Sequence, residues 1–187
     1  VFSGRLVEKK GLLDALQALK LLRKSCNNYQ FTVIGDGPLR LKIEDFLDTY
    51  KMRENVKITG FLPYRRYIEE MQKGDIFIHP SITASDGDSE GGAPTVILEA
   101  QAMGMPVVST YHGDIPNIVV PGKSALLSDE GDHEKLAENI SFLLEHQEVW
   151  EQMGNVGRKY VESYHDLNKE VIALEDIYNE LLAKKAY

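Results

Sequence analysis

Short, nearly continuous apolar runs alternate along this chain with longer stretches whose apolar residues recur at helical spacing. That order marks βα units feeding one parallel sheet, because neighbouring parallel strands need a crossover, usually a helix, between them. The strand candidates are Val1 to Ser3, Phe31 to Gly35, Val56 to Gly60, Ile76 to Pro80, Val107 to Thr110 and Ala125 to Leu127. Their apolar residues are consecutive, as in strands buried on both faces. Leu12, Ala15, Leu16, Leu19 and Leu22 form one helical stripe, Leu39, Ile43, Phe46 and Leu47 a second, and Leu136, Ile140, Leu143 and Leu144 a third. Beyond His146 no strand is predicted and two helices finish the chain. The last carries Val171, Leu174, Tyr178 and Leu181 on one face, and is expected to pack beyond this domain. The expected fold class is α/β: a doubly wound, Rossmann-like parallel sheet of about six strands, with flanking helices and two extra carboxy-terminal helices.

With 187 residues, 43% of them hydrophobic, the chain can bury a substantial core as one domain. A formal charge of -8 argues against broad contact with nucleic acid or an anionic membrane, and no membrane contact is evident in this sequence. Cys26 is the only cysteine, so neither an internal disulfide nor a cysteine-rich metal site is available, which fits a cytoplasmic location. There is no apolar run of about eighteen residues and no basic-then-apolar leader. The chain opens directly on a strand, which suggests that something preceded it. The polar loop Thr83 to Gly92 is where function is expected, because ligands of open α/β sheets bind outside the carboxyl ends of the strands.

The loop after the first strand, Gly4 to Gly11, sets Arg5 and Lys10 beside the start of a helix. A guanidinium fork, an ammonium and a helix amino terminus together suit a diphosphate, although the same residues also fit a solvated surface loop. Gly35-Asp36-Gly37-Pro38 after the second strand reads as a turn, and its bare backbone would also let a ligand approach closely. The most informative segment runs from Asp86 to Ala100. Pro94 fits a first helical position, and Gly104 with Pro106 fits the stop. Gly91 and Gly92 therefore precede a helix amino terminus, where free amides accept anions and missing side chains leave room for a sugar or phosphate. Glu90 and Glu99 bracket this cradle. Glu99, placed about two turns into the helix among apolar neighbours, needs hydrogen-bond partners to stay ionised, and ribose hydroxyls would serve. His112, in the loop after the fifth strand, has no second histidine at metal-ligand spacing and is a secondary candidate.

Gly4-Arg5, Lys10-Gly11, the Gly35 to Pro38 turn, and Glu90 through Glu99 running into Ala100 and Gly104-Met105-Pro106-Val107-Val108 resemble the carboxy-terminal domain of family 4 retaining glycosyltransferases. Those enzymes have the GT-B fold, and the resemblance covers essentially the whole chain. It implies that residues 1–187 are one half of a GT-B fold, the nucleotide-sugar (donor) binding domain, with the amino-terminal acceptor domain absent. It further implies that Arg5 and Lys10 hold the donor diphosphate, that Glu99 bonds the ribose, and that Phe61 and Leu62 lie against the base. By the same resemblance Glu90, Gly91, Gly92 and Ala93 address the donor sugar, and the amides around Thr95 and Val96 meet the phosphate. The family pattern puts seven residues between its two glutamates, whereas Gly91 to Leu98 put one more between Glu90 and Glu99. Either the glycine pair absorbs the extra residue as a bulge, or Asp88 or the Gly91 backbone takes part of the role.

The function so implied is transfer of a sugar, with retention of configuration, from a UDP- or GDP-type nucleotide sugar. The acceptor is a sugar, lipid-linked or polysaccharide hydroxyl bound by the missing domain, as in polysaccharide or glycolipid synthesis. No metal or other cofactor is expected, and the parent enzyme would work in the cytoplasm, including peripherally at the inner face of the membrane. The isolated domain would bind without turnover. Two rivals use the same residues: a GT-B-like epimerase or glycoside hydrolase pairing Glu90 and Glu99 as acid and base, and a non-catalytic nucleotide-binding module.

Overall fold

The computed structural model describes residues 1–23 and 28–185, so Cys26 lies outside the described residues. Among these residues six strands form: β1 (Phe2–Ser3), β2 (Phe31–Ile34), β3 (Val56–Gly60), β4 (Phe77–His79), β5 (Val107–Thr110) and β6 (Ala125–Ser128). All pair in parallel, in two three-stranded sheets ordered β1-β2-β3 and β4-β5-β6. The Ile78 amide donates to the Val1 carbonyl at 2.8 Å, which joins the sheets along β1 and β4. The strands thus run β3-β2-β1-β4-β5-β6, and the direction of winding reverses between β1 and β4. Such a reversal opens a crevice at the carboxyl ends of the strands.

Among the described residues there are seven α-helices: α1 (Leu12–Leu22), α2 (Arg40–Thr49), α3 (Tyr64–Met71), α4 (Thr95–Ala102), α5 (His133–Glu145), α6 (Trp150–Tyr164) and α7 (Leu167–Lys185). The α1 stripe of Leu12, Ala15, Leu16, Leu19 and Leu22 is wholly buried, as its period requires. It packs with Leu136, Ile140 and Leu143 of α5 and with Val33 and Ile78 of the strands in one core cluster. A second cluster gathers Ile97 and Ala100 of α4 around Phe77, Val107 and Ile115.

Two local expectations are corrected, and one helix is added. Pro94 caps α4 rather than starting it: at φ -64° and ψ 120° it is extended, so Thr95 is the first helical residue. Proline fixes φ but leaves ψ free, and with ψ extended Pro94 stays outside the helix. Glu99 is in consequence the fifth residue of α4, little more than one turn in. Helix α3 was not anticipated: Tyr64, Tyr67, Ile68 and Met71 do recur at helical spacing, but the helix is only 8 residues long, half of that stripe is tyrosine, and Met71 is its only buried residue. On α7, Val171, Leu174, Tyr178 and Leu181 are exposed, and so are Ile172, Ile177 and Leu182 on the adjoining face.

Candidate functional site

The loops leaving β1, β2, β3, β4 and β5 meet at the carboxyl edge of the sheets. Leu6 N–H donates to the Asp36 carbonyl at 3.0 Å, tying the first loop to the second. The first loop then makes a 3-10 turn at Glu8–Lys10 and ends on Gly11, whose φ of 67° is left-handed. A Cβ on Gly11 would lie 1.6 Å from the Pro80 carbonyl oxygen. The missing side chain therefore lets the first loop press directly on the chain leaving β4, and that contact brings Lys10 to Glu90.

Lys10 Nζ is 2.7 Å from Glu90 Oε2, and the Glu90 side chain is only 6% exposed. Ser81 Oγ donates to Glu90 Oε1 at 3.0 Å. His79 Nε2 stands 3.7 Å from the same oxygen. Burial pushes the Glu90 carboxyl up, but His79 and Lys10 beside it more than offset this, and its pKa falls to about 2. Its backbone is held as well: Glu90 N–H donates to His112 Nε2 at 3.2 Å. His112 Nδ1 lies 2.6 Å from Glu130 Oε1, and Glu130 Oε2 accepts from the Thr83 amide at 2.6 Å. His112, so bonded, accepts at Nε2 and carries its proton at Nδ1. Asp88 turns away to Lys9, 3.0 Å off, so Glu90 rather than Asp88 faces Lys10.

Gly4, Arg5, Gly35, Phe61 and Leu62 line one cleft of about 610 Å³, together with Tyr64 and Tyr67 of α3. Phe61 and Tyr64 are 86% and 75% exposed, an unusual amount of aromatic surface to leave open beside a cavity. Among the described residues no carboxylate pairs with Arg5. Tyr67 donates its hydroxyl to a carboxylate oxygen of Glu99. The phenol thus provides the partner that a half-buried Glu99 needs, at the place where ribose hydroxyls were expected. Burial first, and then Glu99, push the Tyr67 hydroxyl well above its usual range.

The glycines divide into two groups. A Cβ on Gly35 would be 2.0 Å from the Gly4 carbonyl oxygen, and one on Gly37 2.8 Å from Leu6 N. These two serve the close approach of the first and second loops to each other, and only Gly35 also lines the cleft. A Cβ on Gly91 or Gly92 would meet nothing within 4 Å, so the space above that turn is open. Ala93 packs partly into the second core cluster. The amides of Thr95 and Val96, at the start of α4, donate to no acceptor among the described residues.

His79, Ser81, Tyr67, Tyr64 and Glu130 were not foreseen as site residues. A signal existed for His79, a basic ring ending an otherwise apolar strand, and for the Phe61 to Tyr67 segment, which crowds aromatics and arginines into one short stretch. Among the described residues no group of three or more histidine, cysteine or acidic side chains could hold a metal ion. No helix among them is long and apolar enough to cross a membrane.

The family model "Glycosyl transferases group 1" matches residues 1–160. The chain is 34% identical over 172 residues to the putative colanic acid biosynthesis glycosyltransferase WcaL of Escherichia coli K12, covering 92% of this chain and 42% of that protein. The chain therefore spans less than half the length of this relative. Its fold matches a glycosyltransferase from Rickettsia africae with a TM-score of 0.84 at 21% identity, over 97% of this chain and 47% of that one. It also matches Anabaena Alr3699/HepE, solved in complex with UDP, with a TM-score of 0.80 at 21% identity, over 98% of this chain and 48% of that one. A doubly wound sheet with this loop edge is the fold of one half of a GT-B glycosyltransferase, and the chain belongs to the group 1 glycosyltransferase family.

Proposed function

We propose that the chain is the donor-binding domain of a retaining glycosyltransferase, holding a nucleoside diphosphate sugar across the loops that follow β1, β3 and β4. The observation that carries this reading is convergence at one sheet edge: an aromatic-walled cleft of about 610 Å³ lined by Arg5, which no carboxylate pairs among the described residues, with the first loop's Lys10 on Glu90 and the free amides of Thr95 and Val96 on the loop and helix that follow β4. The cations and amides suit a diphosphate, and the aromatic wall at Phe61 and Tyr64 suits a planar base. Glu99 takes the ribose. Glu90 and the open turn at Gly91 and Gly92 take the sugar. The HepE structure in complex with UDP supports a uridine nucleotide as one candidate.

In transfer, the bond between the anomeric carbon and the diphosphate oxygen lengthens, the sugar becomes oxocarbenium-like, and negative charge grows on the leaving diphosphate. Arg5, the α4 amides and a Lys10 ammonium drawn from Glu90 to the diphosphate would meet that charge, and groups that meet it more fully as it grows stabilise the transition state more than the ground state. No step then requires a divalent metal. The leaving phosphate takes the acceptor proton and Glu90 orients the sugar. A glycosidase-type acid is disfavoured at Glu90, because a carboxyl with a pKa of about 2 is a poor proton donor near neutrality. The acceptor, a sugar, lipid-linked or polysaccharide hydroxyl, binds to a second domain outside this chain, in the cytoplasm or at the inner membrane face. The named role of WcaL in colanic acid biosynthesis supports a polysaccharide product.

Titration calorimetry of the chain with UDP, GDP, ADP and their sugar conjugates, without metal, tests the reading. One base should be preferred, and Arg5→Ala should weaken that ligand about tenfold or more, since a charge-assisted bond contributes about 1.5–3 kcal/mol. No binding by any of them overturns it.

A further inference from the structure

His79 ends β4 where the winding reverses, and it is fully buried. Its ring is stacked between Phe2, at 5.1 Å and 13°, and Phe77, at 5.8 Å and 7°. The two phenyl rings fix the imidazole plane, so it cannot rotate away to find water. Neither ring nitrogen has a hydrogen-bond partner. An imidazole buried this way is costly, and two unpartnered nitrogens in one ring call for an explanation. Nε2 points at Glu90 Oε1 from 3.7 Å, a gap that a small shift of the carboxylate would close into a hydrogen bond.

The charges around Glu90 are few. Lys10 reaches it from the first loop and His79 from β4. His112 holds only its backbone amide and is itself paired with Glu130, while Lys9 is paired with Asp88. If a diphosphate draws the flexible Lys10 ammonium to itself, Glu90, whose side chain is 6% exposed in the free chain, keeps among the described side chains the Ser81 hydroxyl and the His79 ring and loses its cation. A buried carboxylate cannot stay ionised without a counter-charge, so it must either take a proton or acquire a new cation.

We propose that His79 is the second counter-charge of Glu90: when a donor diphosphate takes Lys10, the His79 imidazole accepts a proton from solvent and closes a hydrogen bond from Nε2 to the Glu90 carboxylate. His79 is thus a positioning residue, which keeps Glu90 ionised and aimed at the donor sugar while Lys10 is engaged elsewhere. The inference rests on the donor-site reading above. The proton goes to the ring because imidazole is intrinsically more basic than a carboxylate. In the free chain His79 is held neutral by burial and, after the opposing pull of Glu90, by the charge of Lys10. Departure of Lys10 removes that repulsion and leaves the attraction of Glu90, so binding and proton uptake are coupled.

The test is calorimetry of the chain with UDP-glucose, UDP-N-acetylglucosamine and GDP-mannose in two buffers of different ionisation enthalpy, between pH about 6 and about 8, where an imidazole titrates. Nucleotide sugars are used because their diphosphate, esterified at both ends, has no proton to exchange in this range. The unsubstituted chain should take up a proton on binding, with affinity rising as pH falls. His79→Phe, whose ring fits between Phe2 and Phe77, and His79→Gln, which keeps a donor but cannot become a cation, should both lose that uptake and bind about tenfold more weakly. His112→Gln should retain it. Proton NMR of the histidine rings in the unsubstituted chain adds a readout independent of any variant: one of the five histidines should titrate at higher pH in the complex than in the free chain. Binding without proton uptake, or with the same uptake in His79→Phe, overturns this inference and leaves the donor site standing. Absence of binding by every nucleotide sugar overturns both.

Discussion

The Lys10–Glu90 pair couples the residues of this site to the stability of the chain. Its two members are 80 residues apart in sequence and 2.7 Å apart in space. The folded Glu90 pKa, about 2, lies below the ordinary value of 4.5, so the pair contributes stability that is fully present above about 4.5 and is lost as pH falls through about 2. Urea unfolding followed between those limits should therefore lose stability more steeply for the native chain than for Glu90→Gln, which has no carboxyl to protonate. Equal slopes would mean that the pair does not hold in solution. Tyr67→Phe removes the one side-chain donor to Glu99 among the described residues and leaves a half-buried carboxylate unsatisfied. It should cost about 1–3 kcal/mol in the same assay, and no change would show that water replaces the phenol.

Loops at this edge are set by contacts between elements. The first loop reaches Glu90 because Gly11 lets it rest on Pro80 with no side chain between them. Gly11→Ala faces both a left-handed φ of 67° and a Cβ only 1.6 Å from a carbonyl oxygen. A loss of more than about 2 kcal/mol in thermal unfolding is expected, along with weaker nucleotide binding as Lys10 is displaced. Helices α4 and α6 meet in a similar way, with Gly154 so close that a Cβ there would be 1.9 Å from the Gly104 carbonyl oxygen. Helix α7 makes the opposite case, since its large apolar side chains are exposed on both of its faces. Removing residues 167–187 should shift the thermal midpoint by no more than a few degrees and improve solubility, because the helix covers none of the two core clusters. Collapse of the fold on that deletion would assign α7 a structural task that its exposure does not suggest.

Across the whole molecule, the winding reversal between β1 and β4 opens a crevice at the carboxyl ends of the strands, and the site residues expected from the sequence lie in the loops at that edge or in the first turns of α4. The order of strands and helices was legible in the sequence, because apolar period depends on local burial alone. Continuous runs such as Phe31 to Ile34 require a strand covered on both faces, and the Leu12 to Leu22 stripe requires a helix lying on it. The loops that carry the site were legible for the same reason, since they are what remains at the strand ends. Helix α3 was overlooked although Tyr64, Tyr67, Ile68 and Met71 follow helical spacing, because the pattern spans only 8 residues and half of it is tyrosine, which also suits an exposed loop. Nor was the close approach legible at Gly35 and Gly37, whose missing side chains let the second loop press on Gly4 and Leu6 of the first. The pairing of Lys10 with Glu90, of Tyr67 with Glu99, and the stacking of His79 between Phe2 and Phe77 were likewise decided only by the tertiary structure. Hydrophobic period records whether a residue is buried, but it carries no information about which distant residue it will meet. That is settled by how the strands are ordered and how closely their loops can approach.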